Sequence, residues 1–191
     1  MVLTRYYFRM SESKQRISDL LDRISRLNQS QSWDDGLNPA QLAALRYLVA
    51  ANQFSRAPSH VADYLGATRG TVSQSLKTLD GKGLITQIRS SSDKRRARYD
   101  VTPQGHALLG SPTQTDSAIE QLDENERAHL AKLLSNVLHM TLRARGGKSF
   151  GICKNCKHHG MKAKRPYCRL LDVELADHEI DQICHEHETA A

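Results

Sequence analysis

The chain has no cysteine before position 153 and no apolar run long enough to cross a membrane. A spanning helix needs about 20 consecutive apolar residues. The most apolar segment, LAALRYLVAA from Leu42, is short and is broken by Arg46. The opening MVLTRYYFRM holds no apolar stretch of signal-peptide length, so a cytoplasmic protein without membrane association is expected. Catalytic signatures are missing too. There is no H-E-x-x-H, and an H-x-E followed by P-C-x-x-C is not met, because His185-Glu186-His187-Glu188 comes after the cysteines. No enzymatic activity is expected.

What is present is positive charge and helical periodicity. Lys and Arg number 27 against 21 Asp and Glu, a net charge of +6 with a pI near 9.3, and 39% of residues are apolar. A core is therefore available, and an anionic partner such as nucleic acid is favoured. The excess lies wholly in residues 1–147, with 20 basic and 14 acidic, whereas residues 148–191 carry 7 of each. Within the latter, all the bases precede all the acids. Arg145-Gly146-Gly147-Lys148 ends a helical pattern, which places a boundary there between a domain of residues 1–147 and a cysteine-rich tail of 148–191.

Ile17, Leu20, Leu21, Ile24 and Leu27 form one helical stripe. Pro39 opens a second helix through Leu42, Leu45, Leu48 and Val49, capped by Asn38. A short helix runs from Pro58 to Leu65, Gly66 ends it, and Thr68 caps the next, which carries Val72, Leu76 and Leu79. Paired helices joined by a glycine turn have the form of a helix-turn-helix. Arg69, Thr71, Ser73, Gln74 and Lys77 fall on the outer side or first turn of its second helix, where they would read base edges. Residues 84–88 and 97–101 read as strands flanking Arg89 to Arg96, a wing whose Arg89, Lys94, Arg95 and Arg96 would meet phosphates or the minor groove. The expected fold is mostly α with a small β wing, a winged helix-turn-helix of the α+β class.

From about residue 13 to 143 the sequence resembles the MarR family of winged helix-turn-helix regulators. Asp93 and Arg95 stand as D-x-R, Val101-Thr102 takes the place of Leu-Thr with Gly105 closing an "LTxxG" pattern, and Gly81-Lys82-Gly83-Leu84-Ile85 matches the "kkGLv" junction. Gly81 and Gln87-Ile88-Arg89 depart from the pattern. The resemblance implies a homodimer built from interleaved N- and C-terminal helices. The C-terminal set would be Leu122, Leu130, Leu133, Leu134, Val137, Leu138 and Leu142. It also implies sequence-specific binding to pseudo-palindromic double-stranded DNA. A small-molecule effector cleft between dimer helices and DNA-binding lobes is the alternative route of control.

The resemblance does not reach the tail. Cys153 and Cys156 form C-x-x-C, and Cys168 and Cys184 follow after 11 and 15 residues. In a reducing compartment, four clustered cysteines point to a metal, and a Cys₄ shell leaves no open position for substrate. Zinc is expected first, with His158, His159, His185 and His187 as marginal further ligands and otherwise a solvent-exposed polar segment. An iron–sulfur cluster is the alternative. Leu171 to Ile183 is expected to include a short helix that carries Cys184, pinned by the metal to the basic Lys154–Arg169 segment. The site would serve as a structural staple, as a protein-interaction module, or as a metal or redox sensor acting through the helix that ends near Arg145.

Overall fold

The computed structural model describes residues 12–30, 36–89 and 97–189. Seven α-helices make up most of residues 12–144, and the described residues also form three small antiparallel sheets. Helix α1 (Glu12–Ser30) is followed by α2 (Pro39–Ala50), which begins as its sequence demands: Pro39 needs no amide partner, Asn38 Oδ1 accepts from the Gln41 amide, and Gln41 returns the contact to Asn38. Leu42, Ala44, Leu45, Tyr47 and Leu48 are all buried, so α2 is the central helix of the lobe.

Helices α3 (Pro58–Leu65) and α4 (Arg69–Gly81) pack against it. Gly66, at φ 61°, makes the left-handed turn that ends α3, and Thr68 Oγ1 accepts from the Thr71 amide to start α4. The strands β1 (Ile85–Arg89) and β2 (Ala97–Val101) pair from Ile85↔Val101 to Arg89↔Ala97. Thr102 then caps α5 (Pro103–Leu108) and donates to the Gly83 carbonyl. A β-carbon at Gly105 would collide with the Leu84 carbonyl and the Val101 side chain, so this position admits only glycine. The Val101-Thr102…Gly105 motif is thus the clasp between wing and lobe.

Helices α6 (Gln114–Glu120) and α7 (Glu124–Ala144) complete this part. Leu122 lies between them rather than within a helix, because Asp123 caps α7 in a reciprocal pair with Glu126 and so holds extended backbone. No residue of α7 is buried, and the apolar stripes of α1 and α7 are exposed, Leu27 at 58% and Leu138 at 54%.

The tail is built of β3 (Gly151–Ile152), β4 (His159–Lys162), β5 (Arg165–Cys168), β6 (Val173–Glu174) and β7 (Ile183–Cys184). Strand β3 pairs with β7, and β5 lies between β4 and β6. The expected helix carrying Cys184 is replaced by a 3-10 helix at Asp177–Asp181, and Cys184 sits on β7. The carboxylate-rich stretch is too short of apolar residues for a longer helix to bury a face. Basic and acidic halves do meet: Lys154 contacts Asp181 at 2.6 Å, Arg165 contacts Glu174 at 3.0 Å, and Lys157 pairs with Glu188.

Candidate nucleic-acid interface and cysteine centre

Along α4 the burial alternates with helical period. Val72, Ser75, Leu76 and Leu79 face the core, whereas Arg69, Thr71, Ser73, Gln74 and Lys77 are exposed. Arg69, Ser73 and Lys77 are spaced four apart and share one face. The α4 N-terminus leaves amides directed outward, and Thr68 satisfies one of them. A polar, cationic helix face beside a two-stranded wing is therefore presented on a packed scaffold. Arg89 ends β1, and its side chain lies outside the described residues, as do Lys94, Arg95 and Arg96 altogether.

The base of the wing is held by residues that periodicity does not single out. Arg56 donates to the Ala51 carbonyl at 2.9 Å and pairs with Asp100 at 3.2 Å, while its own carbonyl accepts from the Tyr99 amide. Arg98 is tied to Gln53 and Asp100 at 3.1 and 3.5 Å. Apart from Arg56–Ala51 and Arg98–Asp100, these partners lie more than 40 residues apart in sequence, so no local pattern announces them.

Cys153, Cys156, Cys168 and Cys184 are all buried and unbridged. Cys153 and Cys156 flank a 3-10 turn closed by the Cys156 amide on the Cys153 carbonyl; Cys168 pairs in register with His159, and Cys184 with Gly151. Cys153, Cys168 and Cys184 pack with Leu175 in one cluster, against which Val173, Ile180 and Phe54 lie. Burial, then the proximity of Cys184, Cys168 and Cys156, pushes the Cys153 thiol up to about 12. Among the described residues, no three cysteine, histidine or carboxylate side chains converge, as they stand, into a group that would hold a metal ion. The histidines depart from expectation: His185 and His187 are buried at 6% and 9% exposure rather than solvated.

The tail docks on the lobe at the junction of α2 and α3. The Asn52 amide donates to the Ile183 carbonyl at 3.0 Å, and the His185 amide donates to Ser55 Oγ at 2.9 Å. Ser55 Oγ donates in turn to Asn52 Oδ1 at 2.7 Å, so the residues on either side of Cys184 are bonded to a mutually bonded pair. His185 stacks on His60 of α3 with ring centroids 3.7 Å apart and reaches Asp63 at 3.3 Å. Burial, with His185 alongside, pulls the His60 imidazole below its ordinary range. Phe150 and Ile183 pack onto the lobe core, while Phe54 of the lobe packs into the cysteine cluster.

The sequence profile described as MarR family matches residues 35–96, the stretch holding α2 through most of the wing. The fold is similar to that of S. aureus MepR in a DNA complex, with 23% identity and TM-score 0.54 over 69% of this chain and 98% of that one. Streptococcus pneumoniae FabT in complex with DNA gives 23% identity and TM-score 0.54 over 68% and 98%. A MarR transcriptional regulator from Methanosarcina mazei gives 18% and 0.55 over 68% and 96%. These neighbours fix the architecture as the MarR-type winged helix. They are spanned nearly end to end, yet about three-tenths of the present chain has no counterpart in them. No curated protein matches the sequence.

Proposed function

We propose that this protein is a non-enzymatic, sequence-specific regulator of transcription that binds double-stranded DNA as a homodimer. The observation that carries the reading is α4 itself: one face is buried to the point of rigidity, and the opposite face offers Arg69, Thr71, Ser73, Gln74 and Lys77 beside a wing. A helix so placed would enter the major groove, with the wing on the flanking backbone. That MepR and FabT are seen with DNA supports it. Dimerisation is supported by the apolar stripes of α1 and α7, which monomeric proteins rarely leave uncovered. Paired recognition helices would select pseudo-palindromic sites with half-sites about one helical turn apart.

The test is selection from a random duplex pool, followed by titration of the chosen site. Arg95→Ala should weaken binding to all sequences and reduce the salt slope by about one, whereas Gln74→Ala should relax discrimination between bases. A monomer at micromolar concentration, or a pool that yields no shared site, would overturn the reading.

A second reading concerns control by a small molecule. A cleft of about 630 Å³ lies between α1 and the lobe, lined by Leu21, Ile24, Asn28, Leu42, Arg46 and Tyr64. Its size and mixed lining suit an apolar effector with one anionic or hydrogen-bonding group.

A further inference from the structure

We infer that Cys153, Cys156, Cys168 and Cys184 hold an iron–sulfur cluster, and that its presence fixes the start of the helix-turn-helix through Cys184, Asn52, Ser55 and His185. The regulatory consequence rests on the DNA-binding reading above; the cluster and its hold on α3 do not.

The first step concerns what the thiols can bind. Three of the four buried cysteines, Cys153, Cys168 and Cys184, share one small apolar core, and the Cys156 amide donates to the Cys153 carbonyl beside it, so the four are placed for a common ligand. A single zinc would draw all the sulfurs to about 2.3 Å of one point. A polynuclear cluster interposes its own irons and sulfides, and its cysteines remain further apart while still ringing one body. Ligation replaces each S–H proton by iron and releases the proton to solvent, which relieves the mutual repulsion that four adjacent thiolates would otherwise suffer. The shell suits such a centre. Phe54, Val173, Leu175 and Ile180 exclude water, and the Glu188 amide reaches Cys156 Sγ at 3.5 Å. His159, the strand partner of Cys168, has a buried Nε2 with no hydrogen-bond partner among the described residues, a donor that a sulfide would satisfy.

The second step concerns what the cluster touches. Asn52 and Ser55 are each only 1% exposed, and they occupy the connection from α2 to α3. Their side chains bond each other, the Asn52 amide donates to the Ile183 carbonyl, Ser55 Oγ accepts from the His185 amide, and the Ser55 carbonyl accepts from Tyr47, so both neighbours of Cys184 are held here. The next residue, His185, stacks on α3 and reaches Asp63. A ligand residue is thus separated from the first helix of the DNA-binding pair by a single layer of side chains. This differs from the expected route through α7, whose end at Ala144 lies outside that layer. Loss of the cluster frees Cys184, and the Ile183 carbonyl and His185 amide on either side of it, the partners of Asn52 and Ser55, no longer have fixed positions. Buried polar groups without partners are costly, so the junction would open to water.

The experiment uses the full chain purified without oxygen, with iron, acid-labile sulfide and zinc measured per chain and the visible spectrum recorded. Iron and sulfide in matching amounts, a broad visible absorption, and loss of both in each Cys→Ser variant are expected. Zinc without sulfide would overturn the cluster. Protein that takes up neither after incubation with ferrous and ferric iron and sulfide would overturn the site. Because a serine variant can fail to fold, wild-type protein stripped by chelator provides the second comparison. Amide exchange at Asn52, Val61 and His185 should be at least tenfold slower in the loaded form, and equal rates would overturn the hold on α3. Titration of the selected duplex should then show at least a tenfold difference in affinity between the two forms. Equal, measurable affinities would overturn the regulatory consequence, whereas failure of both forms to bind DNA would sink the regulator reading and leave the metal and exchange results standing.

Discussion

The winged-helix lobe and the cysteine tail are folded by different means. In the lobe, Leu45, Leu48, Val61 and Leu79 have no exposed surface, and each helix begins at a residue whose side chain or ring suits the position. Burial of such side chains stabilises by about 1.5–3 kcal/mol each. In the tail, the buried apolar inventory is Leu175, Pro166 and the thiols, and the structure is otherwise laced by ion pairs between exposed groups. Such pairs contribute between nothing and about 1 kcal/mol. A region with this composition owes its order to what it is fastened to: the lobe on one side and, on our proposal, a ligand of the thiols on the other.

The difference is tested most strongly by removing one leucine from each region. Leu48→Ala, at 0% exposure, should cost the lobe about 2–5 kcal/mol in urea unfolding followed by helical signal. Leu175→Ala, at 5% exposure, should leave that transition in place and lower only the retention of order in residues 148–189. A common shift from both substitutions would show that Phe54, Phe150 and Ile183 have merged the two cores into one cooperative unit.

A smaller contrast lies in the ion pairs. Arg56 and Asp100 have side chains 16% and 34% exposed, and Arg56 also donates to Ala51. Arg56→Ala therefore strands the buried Ala51 carbonyl and removes a partner of the half-buried Asp100, and should cost about 1–3 kcal/mol, with a loss of DNA affinity as the wing loosens. Lys154→Ala breaks a pair whose members are 53% and 61% exposed and should cost less than about 1 kcal/mol. Double-mutant cycles with Asp100→Ala and Asp181→Ala measure both couplings, and a larger value for the tail pair would reverse the comparison.

The same contrast governs what could be read from the residues alone. Asn38-Pro39, Gly66, Thr68 and Thr102-Pro103 are local signals, and each of them sets a boundary within the lobe as the pattern requires. Exposure of Arg69, Thr71, Ser73, Gln74 and Lys77 follows from period 3.6 once Val72, Leu76 and Leu79 are placed in the core. Asn52 and Ser55 gave no such sign, because their significance lies in partners about 130 residues away. In the tail, spacing marked the cysteines but not the strands that carry them, since runs of two to four residues show no periodicity. The burial of His185 and His187 was likewise hidden, because an alternating His-Glu run has the composition of a solvated end.

The finest test is in the β4–β5 turn, where Ala163 and Lys164 hold φ at 49° and 67°. Two successive residues in this region define the tight hairpin turn that favours Asn-Gly, and a β-carbon there disfavours the conformation by about 1 kcal/mol or more. Replacing Ala163-Lys164 by Asn-Gly should therefore stabilise the hairpin by about 1 kcal/mol without touching a charge pair: Lys164 appears in no ion pair among the described residues, whereas Arg165 keeps its contact with Glu174. The lobe should not register the change. Its effect is expected in metal-free protein, as alkylation of Cys168, the last residue of β5, slowed by about fivefold, the factor that ~1 kcal/mol sets for local opening. Unchanged alkylation would mean that the thiols become accessible by release of the whole tail from Asn52 and Ser55, not by fraying of the hairpin, and the tail's order would then reside entirely in its docking on the lobe.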